Sequence, residues 1–415
     1  MRSVTYRIPA LVVTEHTFAV PLDHADPASE QVELFAREVV AADKEKDDLP
    51  WLVFLQGGPG YEAPRPLRKH TPGWLERALE EFRVLMLDQR GVGRSSPVGP
   101  RDTTVQSPAT LAARLTHHRA DSIVRDAELV RAELGVDIWS ALGQSFGGFC
   151  VVAYLSLFPE SLREALVCGG LPPLDRPIDD VYAATYRRTA DKVARHYARY
   201  PEDHDRVTAI MKTLKTADVR LPSGDQLTPR RFRQLGILLG MGDGSEKLHH
   251  VLELPFGSPA FLHDVEGSLY FARNPLYAVV HESCYAPAQA TRWSADRMLP
   301  DSYADDPTLL TGEHVFPWMF LEYGGLRPFA DAAEILAGHE WGPLYDVDQL
   351  ARNDVPCAAA VYADDMYVER ELSEETAARI RGMRMWLTNE FEHDGLHAEG
   401  SRVLGRLLDL ARGRV

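Results

Sequence analysis

Cysteine is scarce in this chain. Four residues, Cys150, Cys168, Cys284 and Cys357, are spread over 415 positions, with no C-x-x-C and no Cys/His spacing of a metal site. A disulfide scaffold and a thiolate metal centre are therefore not expected, and the cysteines read as reduced, small core residues. Long apolar runs are missing too. Nowhere do 18 apolar residues follow one another, as a membrane-spanning helix requires. The first residues, Met-Arg-Ser-Val-Thr-Tyr-Arg-Ile-Pro, lack the charged-then-apolar order of a secretion signal, and the cytoplasm is the expected location. Positive charge is short: 45 Lys and Arg stand against 61 Asp and Glu, for a net charge of −16. That balance argues against nucleic acid and against anionic membrane surfaces as partners. Internal repeats and low-complexity tracts are absent, and residues 174–340 contain no glycine-rich phosphate loop.

What is present is ordinary globular material. Hydrophobic residues make up 45% of the chain, enough for a sizeable core. The length allows two or three domains, or one α/β core carrying an insertion.

The most informative stretch is 139–150, Trp-Ser-Ala-Leu-Gly-Gln-Ser-Phe-Gly-Gly-Phe-Cys. Residues 139–142 read as a buried strand and 148–158 as a helix, with Gly143-Gln-Ser145-Phe-Gly147 between them. Strand, tight turn and helix form the setting of a G-x-S-x-G nucleophile elbow. A Cβ two residues before or after the serine would strike the neighbouring strand or helix, so glycine is required there. Ser145 is thereby lifted above the sheet at a helix N-terminus. The helix dipole favours an oxyanion at that point, and the N–H of Phe146 faces it.

The remaining strands follow a regular rhythm. Residues 15–20 and 32–40 read as strands. The apolar run 51–55 reads as a buried central strand and ends in Gln56-Gly-Gly-Pro-Gly60, a loop whose bare N–H groups at Gly57 or Gly58 can supply a second oxyanion donor. Residues 74–81 read as helix. The strand 84–87 runs into Asp88-Gln-Arg-Gly-Val-Gly-Arg-Ser95, whose charges are expected to hold neighbouring loops. A helix over 120–134, the elbow and a strand over 164–168 follow. Residues 174–340 are helical in period, with helices expected at 181–200, 205–214, 230–241 and 276–285. Strands return at 356–362 and 384–388, with helices at 373–381 and 399–412. The expected fold is therefore α/β, a mainly parallel sheet flanked by helices. Its core spans 1–173 and 341–415, and a helical cap spans 174–340.

An attacking serine needs a base, and the base needs an orienting carboxylate. The order serine, acid, histidine places the acid after one late strand and the histidine after the last. Asp364 or Asp365 and His393 or His397 satisfy this order. His393 stands five residues past Thr388 in a loop, whereas His397 abuts the final helix.

Five segments together resemble the prolyl aminopeptidases (proline iminopeptidases) of the α/β-hydrolase fold, especially the larger members with an extended helical cap. They are Leu-Gln-Gly-Gly-Pro-Gly at 55–60, Leu-Asp-Gln-Arg-Gly at 87–91, Gly-Gln-Ser-Phe-Gly-Gly at 143–148, Val-Tyr-Ala-Asp-Asp-Met-Tyr-Val at 361–368 and Thr-Asn-Glu-Phe-Glu-His-Asp-Gly-Leu at 388–396. The resemblance runs nearly the whole length, and Phe-Pro-Trp-Met-Phe at 316–320 shares in it. Smaller members carry His where Gln56 stands. In the family the acid directly precedes Met and the base lies in Glu-His-x-Gly-Leu, which implies Asp365 and His393. The resemblance further implies an α/β-hydrolase fold, no cofactor and no metal, and peptides with a free N-terminal proline as substrates. Family members hold the substrate amine with glutamates from the cap. Glu282 matches one of them, and Glu313 and Glu322, with Glu253, are candidates for the second. A carboxylic ester hydrolase or amidase on the same triad is the alternative, and a silent relative acting as a binding module is a further one.

Overall fold

The structure, a computed structural model, describes residues 1–269 and 271–415. Nine strands form one sheet: β1 (Arg2–Ile8), β2 (Leu11–Pro21), β3 (Gln31–Ala41), β4 (Trp51–Leu55), β5 (Arg83–Asp88), β6 (Trp139–Gln144), β7 (Leu162–Cys168), β8 (Cys357–Tyr362) and β9 (Met383–Thr388). Their spatial order is β1-β2-β3-β5-β4-β6-β7-β8-β9. The first three strands and β5 pair antiparallel in turn, and every pairing from β5 to β9 is parallel.

The parallel strands β4 to β8 are apolar on both faces because both faces are covered, while the edge strand β9 is largely exposed. In β4, Val53 and Leu55 enter one core while Leu52 and Phe54 enter the other. In β8, Cys357, Ala359 and Val361 face the first, and Ala358, Ala360 and Tyr362 the second. The helix Phe146–Leu157 is buried nearly all round on the first face, with the helix Ala120–Glu133 packed outside it. The amphipathic helix Gly400–Ala411 covers the second through Val403, Leu404, Leu407 and Leu408. Fully burying one such side chain stabilises the fold by about 1.5–3 kcal/mol.

From β4 the chain steps to β5 on one side and then to β6 on the other. The crevice outside the carboxyl ends of β4 and β6 is thus a topological switch point, where such sheets bind ligands. Between β7 and β8 the named elements are helices, among them Ile178–Arg199 and Pro201–Leu214.

Several elements differ from expectation. β1 is exposed along its length and has no apolar run to betray it, since it rests only on the edge of β2. Two short helices, Pro100–Val105 and Pro108–Leu115, also went unread. Residues 230–241 form a short α-helix, Pro229–Arg233, followed by the tighter 3-10 turns of Gln234–Gly240, where two glycines weaken an α-helix. Residues 276–285 likewise divide into Pro275–Val280 and the 3-10 turn Glu282–Tyr285. All four cysteines are free and buried. No helix among the described residues is long and apolar enough to cross a membrane.

Candidate active site

Ser145 follows β6 directly and precedes the helix Phe146–Leu157, as the elbow pattern requires. Its backbone has φ 53° and ψ −126°, a conformation strained for a residue with a Cβ. The turn leaves no room at its flanks. A Cβ on Gly147 would overlap the Leu55 carbonyl, and one on Gly143 would overlap the Gly147 carbonyl. The strain is held by β6 and the helix on either side, and by the bond from the Ser145 N–H to the Cys168 carbonyl, 2.9 Å.

The loop after β4 runs beside the serine. A Cβ built on Gly57 would stand 2.8 Å from Ser145 Cβ and 3.5 Å from its Oγ. The Phe146 N–H opens its helix and has no acceptor within it. Both expected sources of oxyanion donors, Phe146 and the Gly57-Gly58 backbone, thus meet at Ser145. Gln89 supports the loop by donating to the Gln56 carbonyl, 2.9 Å. The charges of the 88–95 loop are structural, as expected: Arg90 is buried against Asp126 at 2.7 Å and donates to the Leu22 and His117 carbonyls.

The candidate acid and base follow β8 and β9. His393 Nδ1 lies 2.7 Å from Asp365 Oδ2. The other Asp365 oxygen accepts the N–H groups of Tyr367 and Val368, at 2.9 and 3.0 Å, so the carboxylate cannot turn away. Both side chains are buried. Burial opposes the imidazolium, but Asp365, with Glu313 and Asp394 behind it, more than offsets that, and the His393 pKa stands above its ordinary value. Of the alternatives in the sequence, Asp365 bonds His393, whereas Asp364 points to Arg195 and His397 lies in the short helix Gly395–Ala398.

Ser145 and His393 line one cavity of about 370 Å³, with Gly57, Gly58, Tyr61, Gln234, Phe271, Tyr277, Glu313 and Tyr367 among its other walls. Aromatic rings and polar side chains line it together, the mixture that lets a small-ligand site bury and orient its ligand. Of the four glutamates named from the sequence, Glu313 is the one that reaches it. Tyr277 donates to Glu313 at 2.7 Å, and burial pushes the carboxyl up to about 7. Its neighbour His314 fixes the segment, accepting from the Gly312 N–H at 3.0 Å and stacking on Tyr186 at 3.9 Å. Asn274 ties the Tyr277 segment to the loop after β4 by donating to the Gly60 carbonyl, 2.8 Å.

Glu282 and Glu322 stand elsewhere. Glu282 is buried beside a separate small cavity with Thr291, Trp293 and Trp341. One of its oxygens accepts the Ala295 N–H at 2.9 Å, the other has no protein partner among the described residues, and burial raises the carboxyl to about 7. Glu322 bonds Thr228 at 2.7 Å and Arg230 at 2.6 Å, a structural bridge between two helices of the insertion. Glu253 is half exposed beside His250. No cluster of three or more His, Cys, Asp or Glu suited to a metal ion occurs among the described residues.

A family model of the alpha/beta hydrolase fold matches residues 50–253. A proline iminopeptidase of Aeromonas sobria is 46% identical over 419 aligned positions, covering 98% of this chain and 98% of its own. The chain belongs to the proline iminopeptidase family. A second member, from Aspergillus aculeatus, is 36% identical and covers 97% of this chain and 94% of its own. Among solved structures, a proline iminopeptidase from Mycobacterium smegmatis is 15% identical, covers 96% of this chain and 98% of its own, and has a TM-score of 0.48.

Against this family frame, two features of the site were not read from the sequence. Tyr277 carries no motif that marks it as the partner of Glu313, 36 residues away. Tyr367 packs edge-on against His393, with ring centroids 4.9 Å apart. Its place two residues after Asp365 was the available signal.

Proposed function

We propose that this chain is a serine exopeptidase that releases the N-terminal proline of peptides. The observation that carries the reading is the shared cavity: a carboxylate, Glu313, lines it with the nucleophile Ser145 and the base His393. A buried carboxylate beside a reactive serine is suited to a substrate's free ammonium group, because charge-assisted hydrogen bonds are strongest where water is excluded. The rings of Tyr61, Phe271 and Tyr277 offer apolar surface to a pyrrolidine. We take residues 174–340 as a cap over the core, since it supplies Glu313, Tyr277 and Phe271. Its free, buried cysteines suit the cytoplasm.

The chemistry is acyl transfer. His393 takes the proton from Ser145 as Oγ attacks the carbonyl of the first residue. Asp365 holds the histidine in the tautomer with its proton on Nδ1 and stabilises the imidazolium. The N–H groups of Phe146 and of Gly57 or Gly58 receive the oxyanion, each contributing about 3 kcal/mol. His393 then protonates the leaving amine. Water, deprotonated by the same histidine, releases proline from Ser145.

A panel of aminoacyl-naphthylamides, free and N-acetylated, tests the reading with the wild type and Ser145→Ala. Rapid release from the free prolyl substrate is expected, lost on acetylation and in Ser145→Ala. Equal or better cleavage of acetylated substrates or simple esters would favour the esterase or amidase alternative.

A further inference from the structure

The helix Ile178–Arg199 carries Arg188, Lys192 and Arg195 at spacings of four and three, which places them on one face. That face meets the two loops that bear the acid and the base. Arg195 pairs with Asp364 at 2.7 Å, and Arg188 lies 3.6 Å from the same carboxylate and 2.8 Å from Glu369. Asp364 immediately precedes Asp365. Lys192 pairs with Glu392, which immediately precedes His393.

A second set of contacts reaches the same two residues. The Gly240 carbonyl accepts the His393 N–H at 3.0 Å. The Tyr367 ring lies against the imidazole, and its hydroxyl donates to the Ile237 carbonyl. A Cβ on Gly240 would overlap that ring. Tyr367 also gives its own N–H to Asp365. Residues 237 and 240, like 188, 192 and 195, belong to the helices between β7 and β8.

Exposed ion pairs contribute little, and Arg195, 58% exposed, is of that kind. Lys192 is different: its side chain is 6% exposed and that of Glu392 28%, so the pair is partly buried, and removing one member leaves the other with less compensation than at the surface. The loop it holds is the one whose displacement would carry His393 away from Ser145.

We propose that the helical insertion positions the catalytic acid and base, through the Arg188–Lys192–Arg195 face and through the seat that Gly240 and Tyr367 make for His393. The insertion then sets the rate of the chemical step and does not merely admit substrate. The inference rests on Ser145, Asp365 and His393 acting as the triad.

The test compares wild type with Lys192→Gln, Tyr367→Phe and the charge-exchanged pair Lys192→Glu/Glu392→Lys. Two readouts are needed: kcat and KM on prolyl-naphthylamide, and the rate at which a fluorophosphonate labels Ser145. The label carries neither an ammonium group nor a peptide, so its rate reports the triad and the oxyanion donors without the amine site. Both single variants are expected to lose kcat and labelling rate alike, by about 10- to 100-fold, because misplacing a reacting group by an ångström costs that much. KM should change little, and the exchanged pair should recover part of the loss. Wild-type labelling rates in Tyr367→Phe, or losses confined to KM, would overturn the proposal and leave the insertion a role in substrate binding only. Should Lys192→Gln fail to fold, Tyr367→Phe, which removes one hydroxyl and keeps the ring, decides alone. A wild type that labels but spares prolyl substrates would sink the proline reading and leave the labelling comparison valid. A wild type that does not label would sink the triad and this proposal with it.

Discussion

The Tyr277 hydroxyl donates to the Glu313 carboxylate across 2.7 Å, and both groups face the cavity that holds Ser145. If this carboxylate receives the substrate's ammonium, Glu313→Gln should lower kcat/KM for free prolyl substrates by about 10- to 100-fold, the worth of one hydrogen bond to a charged group. Labelling of Ser145 by a fluorophosphonate should be nearly unchanged. The pH profile supplies a second check. Glu313 must be ionised to bind the amine, and its pKa is about 7. His393 must be neutral to act as base, and its pKa is raised. In the wild type kcat/KM should therefore fall with the square of the proton concentration on the acid side, and in Glu313→Gln only with its first power.

Asp365→Asn should keep the fold and lose activity. Its neighbours Tyr367 and Val368 can still donate to an amide oxygen, but the amide no longer holds the working tautomer of His393. A fall in kcat of about 10⁴-fold is expected. The His393 pKa should also fall, since the charge that offsets its burial is gone. Steady-state kinetics and the pH dependence of Ser145 labelling measure the two effects.

How far the sequence carried this reading differs from element to element. Strands β4 to β8 announced themselves as apolar runs because both faces of the parallel sheet are buried there, whereas the edge strand β9 is largely exposed. Ser145 was legible because its chemistry and its turn geometry demand the same glycines. Asp365 and His393 were narrowed by chain order and strand ends, then chosen by resemblance to a family. Which glutamate reaches the cavity was not legible. Glu282, Glu313 and Glu322 all fall in the stretch 174–340, whose sequence period is helical. Only the tertiary fold turns Glu313 into the cavity, gives Glu322 to Thr228 and Arg230, and leaves Glu282 against the Ala295 N–H. β1 escaped for the opposite reason: it buries almost nothing, so its sequence is under no apolar constraint.

Gly147→Ala tests the elbow itself. The new methyl would overlap the Leu55 carbonyl of the central strand, and neither backbone can yield without moving β4 or the elbow helix. A loss of about 3 kcal/mol or more is expected, at or beyond the upper end for overpacked cores. Urea denaturation measures it, and a loss below 1 kcal/mol would mean that the turn relaxes.

Glu282 should make stability depend on pH. Its folded pKa, about 7, lies above the ordinary 4.5, so the native state holds a proton that the unfolded chain has released between those values. Its contribution is fully favourable below about pH 4.5 and is lost as the pH rises through 7. The shift corresponds to about 3 kcal/mol. Thermal melts of wild type and Glu282→Gln at pH 5 and pH 8 should show the variant gaining on the wild type at the higher pH.

The bond from Asn274 to the Gly60 carbonyl joins the segment of Tyr277 to the loop of Gly57. On the proposed reading, one of these places the anchor for a peptide's first nitrogen, and the other lies against the hydroxyl that attacks its first carbonyl. Fastened together, they act as a gauge of fixed length. A chain whose terminus sits at the anchor presents its first peptide bond to Ser145 and no later one. On the proposed reading, a single side-chain amide that takes no part in the reaction helps to set how many residues leave per turnover.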